Sequence, residues 1–297
     1  MAVRAPLGST VTILPNGPTA ILPLSLAIDP TSGHALIDDY ALRLSPSLAA
    51  LKLARDRASQ RNPASLALLL PPDDAGLDFA MVEGGLVKAA FHGKPSQAWQ
   101  NVGKDAFLGA AGASSYWHLA THGWFDWDDV RASGVVVGRD GAMLTLGDLL
   151  EARQKLGSPR LVVLSACSTG IAEVGRNPEE FSGLPSGLIM AGAAGVVASL
   201  WPVDDLSTTL LMSRFYELHL GQRQKPADAL RNAQVWLKQA TIADLRGYAQ
   251  SKRTDGSLTA GQSALLDETL GPAGPDGLSE KPFAAPRYWG AFVIYGE

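Results

Sequence analysis

Three short runs, Leu66–Leu70 (LALLL), Leu161–Ser165 (LVVLS) and 196–200 (VVASL), are apolar at almost every position rather than at alternate ones. Successive side chains of a strand point to opposite faces, so a strand with one face in water alternates. A run that is apolar throughout has both faces covered, as in a parallel sheet held between layers of helices. Further candidate strands are 11–14, 40–44, Tyr116–Ala120, 135–137 and 292–295. Helices are expected between them at 46–56, 77–91, 105–113, 183–192, 207–220 and 227–240, with Asp204 and Ser207 as candidate N-caps for the fifth. The expected fold class is therefore α/β: a three-layer domain over 1–297 with a mostly parallel central sheet flanked by helices. The segment 251–286, rich in Gly, Pro, Ser and Asp, reads as a loop, either a solvated insertion or a mobile excursion near the site.

Composition narrows the chemistry. The 297 residues are 46% hydrophobic, enough for a sizeable core, and the net charge of −4 offers no attraction to nucleic acid or an anionic membrane. No apolar run approaches the roughly 18 residues of a membrane span, and the N-terminus lacks the charged-then-apolar order of a signal peptide. The single cysteine excludes an intrachain disulfide and a multi-Cys zinc site, which points to a reducing, cytoplasmic setting. No G-x-S-x-G elbow, P-loop or dinucleotide fingerprint occurs, so no cofactor is expected.

Two strand ends carry reactive groups. The run Y-W-H-L-A-T-H-G-W ends its strand just before His122 and Gly123, and L-V-V-L-S-A-C-S-T-G places Cys167 just past another strand. In open parallel sheets, functional groups gather beyond the carboxyl ends of the strands. If the two strands are parallel, they bring an imidazole and a thiol to one sheet edge. A free thiol is only slightly ionised near neutral pH, and a neighbouring imidazole stabilises the thiolate and can protonate a leaving amine. The backbone N–H groups of Gly123 and Cys167 are candidate oxyanion donors. His118 lies inside its strand, packed beside the sheet or supporting the site from behind; His34, His92 and His219 receive no role. From 122 to 167 is 45 residues, close to the roughly 50 between the catalytic His and Cys of caspases, and A-C-S-T-G echoes the caspase Q-A-C-x-G with Ser165 at the glutamine.

Several strings in order resemble the CHAT domain, a caspase-like module related to separases: P-N-G-P…L-P-L at 15–24, D-Y-A-L-R-L-S-P-S at 39–47, H-L-A-T-H-G at 118–123 and L-V-V-L-S-A-C-S-T-G at 161–170. G-L-P-S-G-L-I-M-A-G-A-A-G-V-V-A-S-L-W-P-V-D-D at 183–205, L-M-S-R-F-Y at 211–216, A-L-R-N-A-Q at 229–234 and Y-W-G-A-F-V-I-Y-G at 288–296 complete the set. The resemblance implies a caspase–haemoglobinase fold and a dyad falling on His122 and Cys167. It also implies cysteine endopeptidase activity on protein substrates in a regulated bacterial signalling or defence pathway, with a TPR-containing or other regulatory partner. Ser168 departs from the acidic residue common after the family's cysteine. The chain begins almost at the first motif, as an excised domain or as a short form with a separate regulator. The alternative is a catalytically silent interaction module, against which the intact H-G and A-C-S-T-G strings argue.

On the substrate side, Trp201, Asp204 and Asp205 in W-P-V-D-D should flank the cleft beside Ser165. Asp204 or Asp205 either lines a pocket for a basic residue before the cleaved bond or serves as helix cap and surface partner. The aromatic run from Trp124 through Phe125 and Asp126 to Trp127 either holds an extended peptide or folds onto the core.

Overall fold

The computed structural model describes residues 5–60, 63–73, 75–153, 156–166, 169–170, 183–271 and 277–297. Eleven strands occur among them: β1 (Thr10–Ile13), β2 (Ala41–Leu44), β3 (Leu66–Leu70), β4 (Ser96–Gln100), β5 (Tyr116–Ala120), β6 (Gly123–Trp124), β7 (Gly134–Val136), β8 (Met143–Thr145), β9 (Leu161–Ser165), β10 (Gly195–Ser199) and β11 (Phe292–Gly296). The helices are α1 (Leu36–Asp39), α2 (Leu48–Ala58), α3 (Ala80–Ala90), α4 (Lys104–Ala111), α5 (Leu146–Glu151), α6 (Leu184–Ala191), α7 (Asp205–Tyr216), α8 (Pro226–Gln239), α9 (Ile242–Thr254) and α10 (Ala260–Thr269).

Eight strands form the central sheet in the order β1-β2-β11-β10-β9-β5-β3-β4, and β6, β7 and β8 form a small antiparallel sheet. Within the large sheet, β10 against β11 is the antiparallel pairing; the others described are parallel. Five strands, β4, β3, β5, β9 and β10, therefore point their carboxyl ends at one edge.

The apolar runs have two covered faces. Leu66, Leu68, Leu161, Val163 and Val197 pack with α3, α7, α8, α9 and α10, whereas Ala67, Leu69, Val162, Leu164 and Val196 pack with α4, α5 and α6. The period of two thus divides each run between two cores. Where one layer approaches another too closely for side chains, glycine appears. Gly157 has φ +64°, and a Cβ there would meet the carbonyl oxygen of Gly112. Only glycine meets both demands.

Most expected elements agree to within two or three residues. The edge strand β4 (SQAWQ) was not expected, because an edge strand half in water carries no apolar run. The larger correction concerns the expected loop at 251–286. Helix α9 runs to Thr254 and α10 follows, with Leu258, Leu266 and Phe283 buried in the core on that face. The local cause is a capping box. Thr259 Oγ1 accepts from the N–H of Gln262, while Gln262 Oε1 accepts from the N–H of Thr259. Residues 272–276 of that stretch lie outside the described set. No helix among the described residues is long and apolar enough to cross a membrane.

Candidate active site

The cleft arises from the way chain connections leave the sheet. After β3 and β10 the chain turns into α3 and α7 on one face. After β5 it enters the small sheet and α5, and the next described helix after β9 is α6; both pack on the other face. A crevice is left beyond the ends of β5 and β9, between the amino ends of α3 and α7. Such reversals are where open α/β sheets place their sites.

Strands β5 and β9 are parallel neighbours, with Ala120 opposite Ser165. The N–H of Thr121 donates to Ser165 O (3.3 Å), which continues the pairing past the strand end. His122 then leaves the large sheet. Its carbonyl accepts from the N–H of Val136 (2.9 Å), and Thr121 Oγ1 donates to Val136 O (3.0 Å), so β7 fixes the backbone on which the ring stands. Gly123 lies opposite Val135. Because His122 takes the bond from Val136, alternation along an antiparallel pair points the Gly123 N–H away from β7.

The His122 ring is exposed, and Nε2 lies 2.7 Å from the carbonyl oxygen of Ala75 in the loop after β3. A carbonyl only accepts, so Nε2 carries the hydrogen. In the neutral ring Nδ1 is then left with a free lone pair. Sequence reading had no means to find Ala75, because the group that acts is a main-chain carbonyl.

Cys167 and Ser168 lie outside the described residues. The chain on either side is well anchored. Ala166 O accepts from Ser199 Oγ (2.6 Å) and from Thr169 Oγ1 (3.2 Å). The N–H of Gly170 donates to Ser199 O (2.7 Å), and Tyr295 Oη donates to Gly170 O (2.9 Å). Strand β10 thus holds the exit from β9.

Beside His122 the crevice narrows to a small cavity of about 30 Å³, lined by Leu77, Ala80, Val203, Glu83, Ser165, Asp205 and Thr208 among others. Ser165 Oγ and Thr208 Oγ1 are buried there without a hydrogen-bond partner among the described residues. Buried hydroxyls normally find partners, so two orphans in one cleft mark a place built to receive a polar group. Asp205 Oδ2 accepts from the N–H of Phe79 (2.8 Å), clasping α7 to the start of α3. Burial pushes its carboxyl up to about 6, against the Phe79 hydrogen bond and with help from the negative charges of Glu83, Asp204 and Asp78.

The two adjacent aspartates separate cleanly. Asp204 caps α7, accepting from the N–H of Ser207 (2.8 Å), and Asp205 faces the cleft. Trp201 donates through Nε1 to Arg287 O (3.2 Å) and does not line the cleft. Of the aromatic run, Phe125 is buried, whereas Trp124 and Trp127 are 61% and 62% exposed.

Sequence reading missed Glu83 and Thr208. Glu83 is 2% exposed and accepts from His118 Nε2 (2.8 Å); His118, fully buried, also meets Tyr216 Oη through Nδ1 (3.2 Å). A signal for Glu83 existed: it is the lone charge on the face that Val82, Leu86 and Val87 bury. His219 is likewise interior. Its Nδ1 donates to Gln224 O (2.7 Å), Tyr116 Oη donates to Nε2 (3.0 Å), and burial holds the imidazole down at about 4, hence neutral.

No curated protein matches the chain. Among solved structures, separase in the Saccharomyces cerevisiae separase–securin complex superposes with a TM-score of 0.55 at 15% identity, over 94% of this chain and 14% of that one. The Arg specific cysteine proteinase gingipain R gives a TM-score of 0.47 at 14% identity, over 87% of this chain and 54% of that one. The chain therefore spans a small part of the separase polypeptide, with which it shares a caspase-like fold. The CHAT domain model matches residues 2–297, and the chain belongs to the CHAT domain family.

Proposed function

We propose that this chain is a cysteine endopeptidase with Cys167 as nucleophile and His122 as its base. The observation that carries this reading is the β5–β9 register. Ala120 lies opposite Ser165, and two residues further along each chain stand His122 and Cys167. The thiolate attacks the substrate carbonyl carbon, forming the S–C bond and a tetrahedral oxyanion that the N–H groups of Gly123 and Cys167 stabilise. As the C–N bond breaks, His122 Nδ1 gives its proton to the leaving amine. His122 then takes a proton from water, whose oxygen displaces the thiolate and releases the acid product. A cysteine-reactive peptide probe tests the assignment: it is expected to label the wild type and not Cys167→Ala. Equal labelling of both would remove Cys167 from the mechanism.

The cleft is read as the pocket for the residue preceding the cleaved bond. Glu83, Asp205 and the two free hydroxyls present acceptors, which favours arginine or lysine there. Ser165 stands in the lining, while Asp204 acts by capping α7, which carries Asp205 and Thr208, and Trp201 is turned to Arg287 O. Because the Asp205 carboxyl lies at about 6, it is neutral below that pH and charged above it. For a substrate with a basic residue at this position, kcat/KM is expected to rise as pH increases through about 6. The same rise should be smaller for a leucine substrate and for Asp205→Asn. Cleavage only after Asp, or only after Leu or Met, would exclude the acidic pocket. Protein substrates, a cytoplasmic setting, a signalling or defence role and control by a TPR-containing or other regulatory partner complete the reading, supported by membership of the CHAT family.

A further inference from the structure

The loop that follows His122 presents two tryptophans to solvent on a rigid support. Trp124 and Trp127 are 61% and 62% exposed, while Phe125 between them is buried and packs edge-on against Trp127, with ring centroids 4.8 Å apart. Asp126 fixes the turn: its Oδ1 accepts from the N–H groups of Asp128 and Asp129 (2.9 Å each), and its own N–H donates to Ser133 Oγ (2.9 Å). Asp129 Oδ1 accepts from the N–H of Arg131 (3.0 Å). The indoles are therefore held outward, and the cost of hydrating them is not relieved within the described chain.

Charge identifies the occupant. Asp126, Asp128 and Asp129 flank the two tryptophans in sequence, and 122–130 contains no lysine or arginine. The backbone N–H groups of Asp129 and Asp128 hold the Asp126 carboxyl below its ordinary range, so it is ionised at neutral pH. Arg131, the next cation in the chain, is turned to Glu151 (3.3 Å). The adjoining cleft carries the same sign through Glu83 and Asp205. An indole face beside carboxylates attracts guanidinium and ammonium groups by cation–π and Coulomb terms together. A hydrophobic partner would leave the carboxylates without counter-charge, and an acidic one would be repelled.

We propose that the 124–129 loop is a docking surface for an arginine- or lysine-rich segment of the protein substrate, flanking the bond to be cleaved. The proposal rests on the peptidase reading for its biological meaning, but its binding can be measured without catalysis. The full chain carrying Cys167→Ala is titrated against a fluorescein-labelled arginine-rich peptide, read by anisotropy. A counterpart peptide has every arginine replaced by glutamine. The arginine peptide is expected to bind about tenfold more tightly than the glutamine one. Its affinity should fall about tenfold when Trp124→Ala and Trp127→Ala are combined, fall a few-fold with Asp128→Asn, and weaken with added salt. Equal binding of the two peptides, no binding of either, or an affinity within about twofold of the parent in the double tryptophan variant would each overturn the proposal. So would loss of binding in Asp205→Ala alone with none in the tryptophan variant, because the cleft would then hold the peptide. Failure of the probe to label Cys167 in the wild type would reject the peptidase reading and leave this measurement standing.

Discussion

His122→Ala is expected to lower kcat/KM for a peptide substrate by about 10²–10⁴, the usual contribution of a general acid–base group. The ring is exposed and, among the described residues, its side chain bonds to Ala75 O, so little folding energy depends on it. Stability in urea should therefore remain close to wild type while turnover falls. That separation distinguishes a catalytic loss from an unfolded enzyme. The proposed mechanism also assigns the two ring nitrogens different tasks. Ala75 O holds the hydrogen on Nε2, so in the proposed mechanism Nδ1 is the nitrogen that exchanges protons with the thiol and the leaving amine. A His122→Ala enzyme with full activity would show that the base is another group, and the β5–β9 register would lose its mechanistic meaning.

Removing one member of the Glu83–His118 pair should give the largest loss of stability. Both side chains are essentially inaccessible, joined at 2.8 Å, with Tyr216 Oη on the second histidine nitrogen. Truncating one partner of a buried pair of this kind costs about 3–5 kcal/mol, because the group left behind has neither water nor a partner. His118→Ala and Glu83→Ala should each lower the urea midpoint accordingly. Glu83→Gln, which retains a hydrogen-bonding oxygen, should cost less. If His118→Ala unfolds at the wild-type midpoint, water or another side chain satisfies Glu83, and the pair contributes only to shaping the cleft.

Legibility in the sequence follows burial. Strands β3, β5 and β9 were located to the residue, because a strand covered on both faces must be apolar throughout and its ends are marked by the return of polar residues. Strand β4 was invisible for the converse reason: its edge position and half-exposed side chains leave no pattern. The helices at 242–269 were obscured by composition. Glycine and serine outweighed two capping boxes, at Thr241 with Asp244 and at Thr259 with Gln262, whose evidence lies in spacing rather than abundance. His122, Gly123 and the Asp204–Asp205 pair could be picked out because they follow strands or stand at the start of a helix within a short span. Glu83 left a weaker signal, a lone charge on a buried helix face, and Thr208 left none, since each reaches the cleft from a helix on a different segment of chain.

By itself, the sequence determined the α/β class, the doubly covered strands and the placement of His122 and Cys167 just past two of them, all consequences of local periodicity. The tertiary structure alone decided that β5 and β9 are parallel neighbours with Ala120 opposite Ser165, since pairing depends on contacts between distant segments. It also decided that Asp204 caps a helix from an extended backbone while Asp205, the first helical residue, enters the cleft. The partner that orients His122 is a backbone carbonyl, and every residue carries one. Only the fold could select Ala75.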